Sequence, residues 1–517
     1  MPHSGPLLEE PVRLSELLQV GLQIHADAPA LISMERQWTW AELERTTSGL
    51  AAHYLALGLK PGDRVASLMP NRIALIAHYL ACFKAGLVAT PLNYRYTPPE
   101  INHALEVSEA SIVFAHAERA NDIAGSKASS LPLGVVTYGA SENGGPSFER
   151  FVEEAPPAIA LPKPDPSAPA AIFFTSGSTG PAKGVTHTFE SLGWVLASAA
   201  AAFELTPEDV LLPGSSCSHI GGFAFSFAAL SAGARVIIAR AFDHEELVPL
   251  LRATRPTVLS MLPTSLLRLI REHEVTKDDF SSLRLCRSGG DKVSAELEKE
   301  FIALTGHPVN EGYGMSEIGL AALNPPSGVV KLGSVGSPSP GFIVSIRHEE
   351  GYELPRGQQG RLWVKSPTRT CGYWNNPQAS AEVIRDGWLD TGDVMKADED
   401  GYLWFCGRKK QIIVHDGSNI CPQEVEGALL EHPAVENAGV IGVHDLMHGE
   451  NVRAYVEIKS GATRPKAREL IQFSRERVGY KAPEEIVFLD AMPLNATGKV
   501  DRVTLKKLAA GDHAHCV

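Results

Sequence analysis

The stretch AAIFFTSGSTGPAKG, residues 170–184, decides how this chain is read. Residues 170–174 are apolar and have the composition of a buried strand. Thr175, Ser176, Gly177, Ser178, Thr179, Gly180, Pro181, Ala182, Lys183 and Gly184 then form a loop of hydroxyls and glycines that closes on a lysine. Glycines let backbone N–H groups approach an anion, and the hydroxyls and lysine add donors and charge. Such a loop suits a polyphosphate. The spacing G-x-x-x-x-G-K-[ST] is absent, so this is not a P-loop of that kind. A plain Ser/Gly linker rarely ends in Pro-Ala-Lys-Gly directly after a buried strand.

Outward from the loop, strand-like and helix-like segments alternate. A proline-rich connector, LPKPDPSAP (161–169), precedes it. Further upstream, TWAELERTTSGLAAHYLALG opens with a capping box, Thr39 followed by Glu42, and ends near Gly58. Residues 73–85 read as a buried helix and LVATPLN as a strand. Downstream, GARVIIA (233–239) reads as a strand, and Asp243 starts a helix that stops before Pro256. PTVLSML is a strand, and Pro263 opens the helix PTSLLRLIREHE. This alternation predicts an α/β fold with parallel sheets and covering helices. After about residue 340 short strands predominate (GFIVSIRH, GRLWVKS, GYLWFCGR, QIIVHDG), which predicts a small, mainly antiparallel unit. From residue 411 a helix–strand–strand–helix–strand series is enough for a compact α+β domain of about 105 residues.

Length and composition agree. At 517 residues the chain exceeds what one core supports, so at least two domains are expected. The net charge of −13 argues against a general nucleic-acid binder, because phosphate backbones need basic surface. The 7 cysteines include no C-x-x-C pair, which points away from a disulfide framework or zinc site and toward a reducing compartment. The start shows no basic region followed by an apolar stretch, and no apolar stretch is long enough for a membrane span. A cytoplasmic location is expected. The histidines of the tail GDHAHCV read as solvated rather than metal-binding.

Four further constellations carry chemistry. Asn310-Glu311-Gly312-Tyr313-Gly314-Met315-Ser316-Glu317 offers a ring for a base, a hydroxyl, and a hard carboxylate suited to Mg²⁺; the bland alternative is a tight turn between strand and helix. In Asp386-Gly387-Trp388-Leu389-Asp390-Thr391-Gly392-Asp393 the last aspartate can accept from vicinal ribose hydroxyls, although Gly and Asp are also turn formers. Gly407-Arg408-Lys409-Lys410-Gln411-Ile412-Ile413 is a basic run at a plausible domain boundary, and Lys499 stands on a Gly-containing turn in PLNATGKVDR. Singly, a solvated turn or an ordinary surface lysine would explain either.

Taken together, in this order and spacing, the five motifs resemble the acyl-adenylate-forming superfamily of acyl-CoA synthetases, peptide-synthetase adenylation domains and firefly luciferase. The resemblance covers residues 12–508. It implies a large N-terminal domain of sheet-and-helix subdomains plus a β-barrel-like part, residues 1–409. A small mobile α+β domain, 410–517, would turn about a hinge at Lys410. It implies two half-reactions: a carboxylate attacks the α-phosphate of Mg²⁺-ATP to give acyl-AMP and pyrophosphate, and a thiol, often that of coenzyme A, displaces AMP. Carried over residue by residue, Lys183 is the phosphate-loop lysine, Tyr313 the adenine-stacking ring and Ser316 the α-phosphate hydroxyl. Glu317 is the metal ligand, and Asp393 and Arg408 are the ribose pair. Lys499 bridges the substrate carboxylate and α-phosphate, and Gly417, with Ser418, lines the pantetheine tunnel. Gly290, Glu311, Gly312 and Gly314 complete the expected nucleotide site.

Departures from the family pattern are Gln411 for Asp, Val414 for Lys, Ser316 for Thr, and Glu311 where an amide is frequent. Gln411 and Val414 bear on the thioester step more than on adenylation. Cys217-Ser218-His219-Ile220-Gly221-Gly222 resembles the segment whose histidine gates the acyl pocket; a core histidine is the alternative. Further walls are expected at Trp194, Phe223, Met261, Ser288 and Gly289, with Gly314 and Met315 at the floor, an apolar pocket of moderate size. Arg287 could meet a second anionic or polar group of the acid, although a surface or phosphate-side arginine is the commoner reading. The acceptor could be a carrier-protein thiol or an amine instead of coenzyme A. A nucleotide sensor without catalysis is disfavoured by Lys183, Glu317, Asp393 and Lys499. Partners are expected to be a carboxylic acid, ATP and coenzyme A, with a homodimer left open.

Overall fold

The computed structural model describes residues 3–139, 146–175, 182–291, 293–408, 411–415, 418–445, 448–495 and 498–512, the side chains of 414, 418, 419, 449 and 512 excepted. The strand Pro169–Thr175 belongs to a 7-stranded sheet in the order Gly372–Tyr373, Lys183–Thr188, Pro169–Thr175, Val88–Pro91, Arg64–Leu68, Ile112–His116, Val135–Tyr138. Most of it is parallel, but Pro169–Thr175 and Lys183–Thr188 pair antiparallel, with Thr175 opposite Lys183. The two strands form an antiparallel pair that brings Lys183 back to the place where the first strand ends.

A second sheet of 9 strands runs Ser337–Pro338, Gly319–Leu323, Val309–Met315, Leu285–Gly289, Val258–Met261, Val210–Gly214, Arg235–Ile237, Pro29–Ile32, Gln37–Thr39. Its interior pairings are parallel and its edges antiparallel. Helices Ile73–Lys84, Phe189–Ala202 and Ile220–Ser231 pack between the two sheets, and one apolar cluster joins Phe83 and Phe223 to Phe173 of one sheet and Leu285 of the other. Every residue of Ile73–Lys84 is buried, including Lys84, which pairs with Glu44 at the negative end of its helix.

Local signals act as expected. Thr39 Oγ1 accepts from the Glu42 backbone at 3.1 Å, while Glu42 accepts from the Thr39 backbone at 2.9 Å. Asp243 caps helix His244–Thr254, and Pro263 opens helix Pro263–Glu272. The first of these helices also carries Pro249 inside it.

A third sheet is antiparallel: His3–Ser4, Ile343–Arg347, Gly360–Lys365, Trp388–Ala397 and Ile384–Arg385, with Leu403–Arg408 also paired to Trp388–Ala397. After Arg408 the chain leaves this sheet. A 5-stranded sheet follows, with strands Ile413–His415, Ser418–Ile420, Val435–Asp445, Gly449–Ile458 and Glu485–Leu489 and helices Pro422–Leu430, Ala467–Val478 and Arg502–Asp512. The order helix, strand, strand, helix, strand is the one expected from residue 411. Among the described residues no helix is long and apolar enough to cross a membrane.

Candidate active site

Two segments for which a turn is the alternative reading are strands. Tyr313 lies within Val309–Met315, and Asp390, Thr391, Gly392 and Asp393 lie within Trp388–Ala397. The second strand bulges at this point: Arg361 pairs with Val394 and Trp363 with Asp390, so residues 391–393 stand opposite Leu362 alone. Gly392 takes φ +73°, which a side chain resists, and Thr391 fastens the bulge by donating to the Leu362 carbonyl at 2.8 Å. The bulge turns Asp393 inward.

Asp393 is fully buried. Its Oδ2 accepts from the Tyr313 hydroxyl at 2.5 Å, and its Oδ1 accepts from Arg408 Nε at 2.8 Å. Arg408 is its partner in the antiparallel register. Burial pushes the Asp393 carboxyl above its usual range, and the charges of Arg408 and Lys499 pull it back. Tyr313 is held well above its ordinary value, chiefly by burial. Three residues from three distant stretches thus form one hydrogen-bonded group.

Ser316 and Glu317 occupy the turn between Val309–Met315 and Gly319–Leu323. The turn is held from below: His187 Nε2 lies 2.8 Å from the Ser316 carbonyl, and the Thr370 N–H donates to the Glu317 carbonyl at 2.7 Å. Burial lowers the His187 imidazole to about 4, so the ring is neutral and its Nε2–H can donate. Glu317 is buried, and burial pushes its carboxyl up; Oε1 accepts from the Tyr373 hydroxyl at 2.9 Å. The Lys183 ammonium stands 5.0 Å from the centre of the Tyr373 ring, so Tyr373 links Lys183 to Glu317.

Lys499 reaches this group from the small domain. Its turn is closed by Asn495 N–H donating to the Lys499 carbonyl at 2.8 Å and Lys499 N–H donating to Asn495 Oδ1 at 3.1 Å. The side chain keeps contact with solvent in the open cleft but is walled by protein. Those walls lower its ammonium, while Asp291 and Asp393 act in the opposite sense. Its charge also reaches His219, which burial above all lowers to about 4. Arg502, three residues on, donates to both oxygens of the buried Glu426 at 2.6 Å and fixes the end of the lysine turn to helix Pro422–Leu430.

A cleft of about 3180 Å³ is lined among others by Thr175, Lys183, His219, Ser316, Glu317 and Lys499, whereas Tyr313 and Asp393 are buried and lie outside its lining. Gly289, Gly290, Gly314, Met315 and Arg408 also face it. The expected walls Trp194, Phe223, Met261 and Ser288 do not. Phe223 is wholly buried and stacks on Phe227 at 4.3 Å, and Trp194 lies on helix Phe189–Ala202 away from the lining. Met261 and Ser288 belong to the opposite face of their sheet, where Ser288 Oγ donates to the Met261 carbonyl at 2.9 Å. Glu311 shares that face, opposite Ser288 in register, and is buried; Gly312 faces Gly289 across the pairing. Ser176, Gly177, Ser178, Thr179, Gly180, Lys410 and Gly417 fall outside the described residues, as does the side chain of Ser418. Gln411 accepts from Gln423 at 3.1 Å.

Tyr373, Asp291 and the Glu426–Arg502 pair were not anticipated from the sequence. Each acts on a partner far away in the chain, so no local spacing marks it.

Comparison with known proteins identifies the class. The AMP-binding enzyme model matches residues 19–374 and the AMP-binding enzyme C-terminal domain model residues 424–499, and the chain belongs to the AMP-binding enzyme family. Among its relatives, a feruloyl-CoA synthase of an Amycolatopsis species is 34% identical over 469 residues, 89% of this chain and 92% of the relative. An indoleacetate–CoA ligase of Aromatoleum aromaticum is 32% identical over 504 residues, 96% of this chain and 98% of the relative. The crystal structure of ATP-bound MatB from Rhodopseudomonas palustris superposes with a TM-score of 0.87 at 31% identity, covering 96% of this chain and 98% of that one.

Proposed function

We propose that this protein is an AMP-forming carboxylate–CoA ligase. The carrying observation is the convergence of Lys499 on the Tyr313–Asp393–Arg408 group. In the first half-reaction a carboxylate oxygen attacks the α-phosphate of ATP, the bond to the β-phosphate oxygen breaks, and pyrophosphate leaves. Both reactants are anions, so positioning and charge neutralisation dominate the catalysis. Lys183 and the loop Thr175–Gly184 bind the phosphates. The Tyr313 ring lies against adenine. Asp393 has lone pairs left after its two acceptor bonds and takes the ribose hydroxyls, and the charge of Arg408 favours its ionised form. The Ser316 hydroxyl donates to the α-phosphate. Lys499 bridges that phosphate and the incoming carboxylate.

In the second half-reaction the coenzyme A thiol, as thiolate, attacks the acyl carbonyl, and AMP leaves with the bonding pair. The small domain, residues 410–517, turns about Lys410 to withdraw Lys499 and present the Gly417–Ser418 side to pantetheine.

Glu317 fits a Mg²⁺ ion. It is a buried hard-oxygen ligand whose charge is disfavoured without a cation. Among the described residues no cluster of three His, Cys, Asp or Glu stands ready to hold a metal, so the ion would share Glu317 with phosphate oxygens and water, as Mg²⁺ commonly does. Bound there, it supplies neutralisation of phosphate charge. His219 stands as the gate to the acyl pocket, and a cytoplasmic location suits the substrates.

The test is pyrophosphate release over a panel of carboxylic acids, with and without coenzyme A, with the products identified. AMP together with an acyl-CoA is expected. Acyl-AMP that accumulates and never reacts with coenzyme A would redirect the second step to a carrier-protein thiol or an amine.

A further inference from the structure

Strand Leu285–Gly289 alternates between two apolar faces. Cys286 faces the cluster that includes Leu259, Leu266 and Leu297, whereas Leu285 faces the helix Ile220–Ser231. By the same alternation Arg287 points toward that helix, and it is 8% exposed. A buried central strand of a parallel sheet is ordinarily apolar on both sides. Here one position carries a guanidinium.

Its surroundings leave it unsatisfied. The Nε has no hydrogen-bond partner, and among the described residues the side chain makes no salt bridge. The guanidinium carbon lies 4.9 Å from the centre of the Phe225 ring. The charge of Glu311 reaches it, but Glu311 stands on the adjacent strand and faces the other side of the sheet. Burial lowers the guanidinium only to about 10, so it is a cation at neutral pH. Room for it comes from Gly289: a Cβ there would stand 3.0 Å from a terminal nitrogen of Arg287 and 2.3 Å from the Gly312 carbonyl. Arg287, Phe225, Gly221, Gly222 and Gly289 all line the cleft on the side of His219. Burying a cation without an anion is costly, and a ligand that brings the anion removes the cost.

We propose that the acid activated by this enzyme carries a second carboxylate, and that Arg287 binds it on the pocket wall formed with Phe225 and Gly289. This rests on the ligase reading above and narrows its substrate class. The guanidinium fork can take both oxygens of a carboxylate. Gly289 pairs with Gly312, two residues before Gly314, which is about 7 Å of strand. The two carboxylates of the acid are therefore separated by several bonds, as in a medium-length aliphatic diacid or a ring bearing both groups.

The experiment uses acid pairs that differ only in the distal carboxylate: hexanoate against adipate, and phenylpropanoate against carboxyphenylpropanoate. Acid-dependent pyrophosphate release is measured for the wild type, Arg287→Met and Arg287→Lys, with KM and kcat for the acid and KM for ATP. The wild type is expected to favour the diacid of at least one pair. Arg287→Met should lose about 10²-fold or more in kcat/KM on that diacid. It should gain on the matching monoacid and keep its KM for ATP, and Arg287→Lys should recover part of the loss. A merely structural arginine would lower both members of a pair alike. Should Arg287→Met fail to fold, the diacid-to-monoacid ratios of the wild type and Arg287→Lys decide. A wild type that uses monoacids as well as diacids, or a ratio unchanged in the variants, overturns the role of Arg287 and leaves the ligase reading intact. Failure of every acid in both classes to release pyrophosphate overturns both.

Discussion

Replacing Asp393 by Asn keeps the shape of the side chain and removes its charge. The carboxylate accepts from Tyr313 at 2.5 Å and from Arg408 at 2.8 Å. An amide has one oxygen, so one of these donors would meet an NH₂ group instead. A hydrogen bond to a charged group contributes about 1.5–3 kcal/mol. Around Tyr313 this applies in full, because the ring is 8% exposed. The Arg408 side chain is 45% exposed, so solvent screens much of its share. The sum is about 2–3 kcal/mol, which at about 2.1 cal/mol/K per residue corresponds to a melting temperature lower by about 2–4 °C for a domain of roughly 400 residues. The same group is assigned to the ribose, so ATP affinity should fall by about 30-fold or more. Thermal unfolding and an ATP titration on one preparation test both effects. A variant that melts within a degree of the wild type and binds ATP equally well refutes the assignment of Asp393 as the centre of this group.

Two further predictions follow from the geometry. Glu317 has a folded-state carboxyl raised by burial, so the folded protein holds its proton more tightly than the unfolded chain does. Its contribution therefore destabilises the ligand-free protein at neutral pH, and this penalty fades as pH falls through the raised value. Glu317→Gln should melt higher than the wild type near pH 7, with the gap closing toward acid, and should lose Mg²⁺-dependent stabilisation by ATP; equal melting at all pH would refute it. The Glu426–Arg502 pair lies wholly within the small domain and fixes the lysine turn, so Arg502→Met should slow adenylation while leaving the KM for ATP nearly unchanged, as read by single-turnover acyl-AMP formation.

Much of the fold could be read because its signals are local. Thr39 with Glu42, Asp243 and Pro263 act on their own helix ends, and the element order after residue 411 follows from periodicity. The bulge that places Asp393 depends on Leu362 across the sheet, so the Thr-Gly pair read as a turn. The pocket walls failed for a reason of parity. Met261 and Ser288 are one residue out of phase with Gly289 and point to the opposite face, and Phe223 is two residues from Phe225 on a helix, enough to move it from the cleft into the core. Arg287 could be singled out by type, but only the strand's alternation shows that it is buried. Tyr373 had no local mark, because its partners are far away in the chain: Lys183 on the neighbouring strand of its own sheet and Glu317 on a turn of another sheet.

Lys499 offers the most direct measurement. Its charge reaches Asp393 and His219 at once, and in the mechanism proposed above it rides on the domain that turns before a thiol enters. Acyl-AMP formation from acid and ATP, and thioester formation from supplied acyl-AMP, are measured separately in single turnover for the wild type and Lys499→Ala. Loss of one charge contact to a transition state costs about 2.7–4 kcal/mol, so the first step should slow by about 10²–10³-fold. The second should be nearly unchanged. Equal slowing of both steps would contradict the division of labour between the two faces of the small domain.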